Sequence, residues 1–343
     1  MSSSGNNLSG RFELLDLARG IAAFGILLFH AYPVPIFSTL YTFVDFFFVL
    51  SGFVLAPSYL RVTTLKDAGH FLASRAYRLF PMVISTIFFV LGIQAAVNLK
   101  HIILGEVNRT GIDTSFLTLL FAFSLLQIFS NTATLLNPPL WSLSAEWLSN
   151  LFVISRPIFR QFNTFFFFAT GCLLIWHYQS SGNGWEEQFG RAISGFYLGI
   201  ILRQLRNRKN LGSRTRLLLS LGTVVLMNIS IYFVGPKLSY LSPLTYGLAI
   251  IQLSFVSIHS CPSLVKVSTL FGRYLYGFYA WHFPLLSISA IVTKKLLNQL
   301  NFSLAGSGHL TILLCFTLTI TFTHMTLKYV ETPLRHHRAK KIA

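Results

Sequence analysis

Leu14-Leu15-Asp16-Leu17-Ala18-Arg19-Gly20-Ile21-Ala22-Ala23-Phe24-Gly25-Ile26-Leu27-Leu28-Phe29-His30-Ala31-Tyr32-Pro33 is an apolar run broken by one acid, one base and one imidazole. Crossing a hydrocarbon core of about 30 Å takes about 20 helical residues, so this stretch alone can span a bilayer. Asp16 and Arg19 sit where the apolar region of a signal peptide should run, and no small-residue cleavage site follows Tyr32. The run is therefore expected to be a retained span.

The rest of the chain agrees. Of 343 residues, 53% are hydrophobic and 11% charged, and the mean hydropathy is +0.61. A soluble domain carries about 25% charged residues, so the composition describes an integral membrane protein and excludes a disordered chain, a disulfide scaffold or a secreted soluble enzyme. The 27 Lys and Arg against 10 Asp and Glu give a net charge of +17. Such an excess can attract nucleic acid, but membrane proteins gather Lys and Arg in cytoplasmic loops to fix orientation. The location of the charges favours topology, and no nucleic-acid partner is expected. Cys172, Cys261 and Cys315 lack metal or redox spacing and read as small core residues. No metal site is expected.

Apolar segments lie near residues 14–33, 43–60, 79–98, 115–130, 140–155, 162–178, 189–203, 217–234, 239–258, 270–292 and 309–329. Basic residues after the second segment (Arg61, Lys66, Arg75, Arg78), after the seventh (Arg203 to Arg216) and at the end (Arg335 to Lys341) mark the cytoplasmic side, and Arg11 and Arg19 place the N-terminus there too. Two inside termini require an even number of crossings, so one of the eleven segments should not cross. The parity fails between residues 100 and 200, which points to 115–130 or to the stretch from Asn137-Pro138-Pro139 to Phe152 as a re-entrant or interfacial piece beside a cavity. The expected fold is all-α: a polytopic transmembrane bundle of about ten helices with one such segment, forming a single domain over 1–343 with no fused soluble domain.

An acid or base inside an apolar span is costly and asks for a partner or a function. From Arg19 to His30 is eleven residues, about 1100° of helix, ~20° past three turns, so both project from one face about 16 Å apart along the axis. Asp16 is one turn before Arg19 and can pair with it. Asp45, at the start of Val44-Asp45-Phe46-Phe47-Phe48, is either a helix cap or a group that orients His30 or an acceptor hydroxyl. Arg75 and Arg78 at i, i+3 offer a multidentate grip on phosphate, or simply mark the inside face.

In Trp141-Ser142-Leu143-Ser144-Ala145-Glu146, the acid and Asn150 share one helical face where the cavity is expected. Ser144 could instead cap a helix, and Trp141 could anchor at the interface. Tyr276, Tyr279 and His282 form a row at i, i+3, i+6, with Trp281 beside it, suited either to a sugar face or acyl arm or to plain bundle packing. Glu331 is expected to be a structural partner for a neighbouring arginine, and Ser51-Gly52 to allow close helix packing.

Taken together and in order, Leu15-Asp16 through Gly20 with His30, Asp45 through Phe53, Arg75-x-x-Arg78, Trp141-Ser-Leu-Ser-x-Glu146, Tyr276-x-x-Tyr279-x-Trp281-His282-x-Pro284 and Glu331-x-Pro333 resemble the acyltransferase-3 family of polytopic membrane acyltransferases. The resemblance implies about ten helices, acyl-CoA supplied from the cytoplasm, His30 as the essential histidine, and Arg19, Arg75 and Arg78 as residues linked to donor binding. The acidic doublet common after Trp-Ser-Leu-Ser is Glu146-Trp147 here, which puts a role needing two carboxylates in doubt.

On this reading His30, Asp45 and Glu146 carry catalysis, and Arg19, Arg75 and Arg78 bind the co-substrate acetyl-CoA or another acyl-CoA. Trp141, Ser144, Asn150, Tyr279, Trp281 and His282 meet the acceptor, a hydroxyl of an envelope or lipid-linked saccharide. Membrane lipid is the surrounding partner, and the location is a bacterial inner membrane with both termini cytoplasmic. A transporter or flippase of a lipid-linked saccharide, or a non-catalytic scaffold, would use the same polar residues without acyl chemistry.

Overall fold

The computed structural model describes residues 12–32, 34–104, 113–160, 162–206, 212–300 and 307–334. Arg11, Arg208, Lys209, Arg335, Arg338, Lys340 and Lys341 lie outside the described residues. All regular structure among the described residues is helical. The chain starts with α1 (Glu13–Ala31), a 3₁₀ segment (Pro35–Thr42), α2 (Phe43–Leu60) and α3 (Leu65–Leu104). It continues through the short α4 (Phe116–Phe123), α5 (Asn131–Leu136) and α6 (Leu140–Leu151). Then come α7 (Asn163–Ser181), α8 (Gly184–Gln204), α9 (Ser213–Val234), α10 (Ser242–Leu253), α11 (Pro262–Gln299) and α12 (Ser307–Thr326), the last extended by a π-helical turn, Leu327–Glu331, where Glu331 is buried.

Helices α1, α2 with its preceding 3₁₀ segment, α3, α9, α11 and α12 with its extension are long and apolar enough to cross a membrane. Their outer faces carry exposed large apolar side chains such as Phe88, Phe233 and Ile291, the arrangement of a bundle whose solvent is lipid. Helices α3 and α11 run 40 and 38 residues, well beyond the expected spans 79–98 and 270–292. At 1.5 Å per residue each is nearly twice the thickness of the hydrocarbon. Arg75 and Arg78 therefore ride on helix and not on a loop.

The innermost helix is α8. Every residue from Phe189 to Ile201 is buried, because α2, α6, α7 and α10 surround it. Its contact with α2 is made by backbone: a Cβ on Gly52 would run into the Phe196 carbonyl, and one on Gly199 into that of Val49. Small residues at these points let the helices touch main chain to main chain, as expected for Ser51-Gly52. The same contact sets the register that brings Arg191 to Asp45. Arg191 Nε and Nη2 donate to the two Asp45 oxygens at 2.9 and 3.0 Å, the Ser242 hydroxyl of α10 also donates to Asp45, and Arg191 lies over the Tyr41 ring.

Both stretches that could fail to cross, 115–130 and Asn137–Phe152, are interrupted. Helices α4, α5 and α6 have 8, 6 and 12 residues, at most about 18 Å of helix. The expected single re-entrant segment is thus a longer broken region, and its short pieces take the helix total above the ten anticipated. Its turn holds Leu125 at φ 54°, a left-handed conformation that side-chain-bearing residues seldom adopt. Ser144 secures that turn by donating to the Leu125 carbonyl at 2.8 Å and accepting from Ile128 N–H. Of the cysteines only Cys315 is fully buried; Cys172 is exposed on α7, which corrects its expected place in the core.

Removing one partner of a buried pair leaves an unanswered charge, a loss of about 3–5 kcal/mol. Asp45→Leu and Arg191→Leu should therefore each lower the midpoint of thermal unfolding in detergent, and the double variant should regain a substantial part of the loss.

Candidate active site

A polar cavity opens between α1, α2, α3, α6 and α11, lined by Arg19, Ser51, Arg75, Arg78, Ser142, Glu146, Tyr276 and Tyr279 with an apolar wall of Val44, Phe47, Phe48, Val54, Leu55 and Leu275. Each side chain reaches it for a local reason. Arg19 is one turn beyond Asp16 on α1 and donates to Asp16 Oδ1 at 3.0 Å. Arg75 and Arg78 are one turn apart on α3. Glu146 points in from α6, where its Oε1 accepts from Arg75 Nη2 at 2.8 Å and from the Ser51 hydroxyl at 2.7 Å. The three arginines expected to act together are thus brought together, with Glu146 among them.

The Tyr276 hydroxyl donates to the Leu79 carbonyl at 3.0 Å, joining α11 to α3 just before Pro81. Tyr279 lines the cavity and shares a hydrogen bond of 2.7 Å with Ser142. It also touches the histidine pair, which is not part of the lining. The Tyr279 and His282 rings are 5.6 Å apart, and His282 Nε2 is 3.3 Å from His30 Nδ1. His30 lies on the same helix as Arg19, as the spacing requires, and is partly exposed, whereas His282 is buried.

Other candidates are placed elsewhere. Asp45 is not beside His30: it is closed off by Arg191 and Ser242, so it braces three helices. Glu146 makes its hydrogen bonds to Arg75 and Ser51 and not to His30. Trp141 packs its ring against Phe48, and Ser144 ties the turn at Leu125. Asn150 is fully buried and donates to the Glu146 carbonyl at 2.7 Å, so it shares a face with Glu146 but serves the helix backbone. Trp281 turns away from the cavity, stacking among Phe89 and Phe322 with its N–H on Thr326 at 3.2 Å. Of the residues assigned to the acceptor, Tyr279 lines the cavity and His282 touches His30.

Two residues matter that the sequence pattern did not single out. Arg191 is one; it lies near the start of the apolar segment 189–203, four and five residues after Glu187 and Glu186, and was given no role there. The other is Asn137. Pro284 has no N–H, so the Ala280 carbonyl four residues earlier loses its helical partner. The Asn137 side chain donates to that carbonyl at 3.0 Å. The signal was available in the sequence, a proline two residues after a candidate histidine, but its partner was not.

The fold and this cavity define a polytopic membrane enzyme with a cationic pocket at one end of a helix and an imidazole at the other. The chain belongs to the acyltransferase-3 family, whose model, described as "Acyltransferase domain", matches residues 12–326, and it is a membrane acyltransferase. It is similar to "Protein 2 in picA locus" of Rhizobium radiobacter, 34% identical over 158 residues that cover 41% of this chain and 79% of that protein. No solved structure matches the chain.

Asn137→Ala should leave the Ala280 carbonyl unpaired in a dry interior, at about 1–3 kcal/mol. A lower thermal midpoint, accompanied by faster amide exchange around residues 280–284, would register it.

Proposed function

We propose that this acyltransferase moves an acyl group, in the simplest case acetyl, from cytoplasmic acyl-CoA to a hydroxyl of a cell-envelope or lipid-linked saccharide, in a bacterial inner membrane with both termini on the cytoplasmic side. One observation carries the reading: Arg19, Arg75 and Arg78 converge on one cavity, and His30 lies on the helix of Arg19, in line with it and about 16 Å farther along. Guanidinium forks match phosphate geometry and remain charged under all ordinary conditions, so the cavity suits the CoA phosphates. The axial offset is comparable to an extended pantetheine arm, which would bring the thioester past Tyr279 towards His30.

The imidazole would take the proton of the acceptor hydroxyl as its oxygen attacks the thioester carbonyl. Collapse of the tetrahedral intermediate breaks the carbon–sulfur bond, and the departing thiolate takes the proton back from His30, leaving an ester and free CoA. Glu146 pairs with Arg75 at 2.8 Å, and a donor phosphate would compete with it for that guanidinium. Asp45 acts through the architecture, fixing α2 against α8.

General-base assistance is typically worth 10² to 10⁴ in rate. In liposomes with labelled acetyl-CoA and an envelope saccharide extract, His30→Ala should lose that much label transfer while CoA still raises the thermal midpoint. Normal transfer by this variant would sink the mechanism.

Loss of one charge-assisted contact corresponds to roughly ten- to 100-fold, so Arg78→Gln should raise the KM for acetyl-CoA by that factor with little change in kcat. Saccharide flux across the liposome without CoA release would point to a translocation role instead.

A further inference from the structure

His282 stands 252 residues from His30 in sequence, yet the two rings lie 5.2 Å apart and tilted by 45°. The hydrogen-bond partners of the pair fix where the protons are. His282 Nδ1 is 2.7 Å from the Tyr279 carbonyl oxygen. A carbonyl oxygen only accepts, so His282 Nδ1 carries a hydrogen, and in the neutral ring Nε2 is left with a lone pair. His30 Nδ1 is 2.9 Å from the Ile26 carbonyl oxygen, again an acceptor, so it too carries a hydrogen. His30 Nδ1 is 3.3 Å from His282 Nε2, which carries the lone pair, so its N–H is shared between two acceptors in a three-centre arrangement of the kind common at helix termini. Among the described residues, the one nitrogen of the pair left with an uncommitted lone pair is His30 Nε2.

We infer that His282 is a positioning residue for His30: by accepting from Nδ1–H it fixes the tautomer and ring orientation that leave Nε2 as the nitrogen that takes the acceptor's proton. This rests on the acyl-transfer reading above. His282 is 1% exposed and both its nitrogens are engaged, which suits this role better than contact with a saccharide. When His30 accepts the proton at Nε2, the imidazolium keeps its Nδ1–H directed at His282, a neutral acceptor in the place that a carboxylate fills in the serine-protease triad. The surrounding chain supports the placement. Pro284 and the Asn137 bond to Ala280 shape α11 on either side of His282, and Phe283 packs edge-on against the His30 ring at 5.3 Å.

The test uses the whole protein in liposomes, labelled with ¹⁵N-histidine, with the His30 resonances assigned by their absence in His30→Gln. Solid-state spectra of the wild type should show His30 with a protonated Nδ1 and a bare Nε2; a hydrogen on Nε2 overturns the proposal. In parallel, His282→Gln can present an amide oxygen near the lost Nε2 and should retain kcat within roughly fivefold. His282→Leu should lose at least roughly tenfold in kcat, with the KM for acetyl-CoA unchanged. Wild-type turnover in His282→Leu, or a folded His282→Gln as impaired as His282→Leu, overturns the assignment. Should His282→Leu not fold, the wild-type tautomer and the glutamine variant still decide. A wild type with the expected tautomer but no label transfer to any saccharide would sink the acyl-transfer reading and leave the tautomer assignment standing.

Discussion

Hydrocarbon offers no hydrogen bonds, so each polar group this chain carries into the bundle must find its partner inside the protein. That constraint explains why the interior is a set of specific pairs and not a generic packing of greasy helices. A proline that strips the Ala280 carbonyl of its helical donor is answered by Asn137. The backbone that leaves the helical path at Leu125 is held by Ser144. The Asp45 carboxylate, fully buried, receives a two-pronged arginine and a serine. Each answer comes from a different part of the chain, so satisfying the polar groups also fixes how the helices are arranged.

The same rule distinguishes bracing from chemistry. A buried charge whose hydrogen-bonding capacity is used up by protein, such as Asp45, has nothing left to offer a substrate. The groups in the cavity are different. Arg19, Arg75 and Arg78 line one cavity, Arg19 paired with Asp16 and Arg75 with Glu146, and in the proposed reaction this is where the donor's phosphates would bind. His30 is only partly buried and keeps one nitrogen uncommitted. An arginine at one end of α1 and a free lone pair at the other give the helix its functional direction.

Interruption of the bundle is part of the same design. At 8, 6 and 12 residues α4, α5 and α6 are too short to span the hydrocarbon, but α6 and the turn before it carry Ser142, Glu146 and Asn137 to α11 and α3. Broken helix is tolerated there because other helices enclose it, and a cavity forms where regular packing stops. Fourteen buried positions along α8 show the converse: an uninterrupted helix enclosed by its neighbours becomes scaffold, even with arginine and glutamate on it.

Much of this was readable along the chain. Six of the eleven apolar runs fall in helices long and apolar enough to cross, because bilayer thickness is a fixed ruler. Arg19 and His30 on one face, Asp16 under Arg19, and Arg75 beside Arg78 follow from helix periodicity, which is local and needs no knowledge of neighbours. The broken region before residue 160 follows from parity and from its prolines, although not its full extent. What the chain could not disclose were the pairings between helices: Asp45 with Arg191 across 146 residues, Glu146 with Arg75 across 71, His282 with His30 across 252. Those depend on interhelical register, set by contacts such as Gly52 on Phe196 and Gly199 on Val49, and a one-turn shift of about 5.4 Å would have given every one of those side chains a different partner.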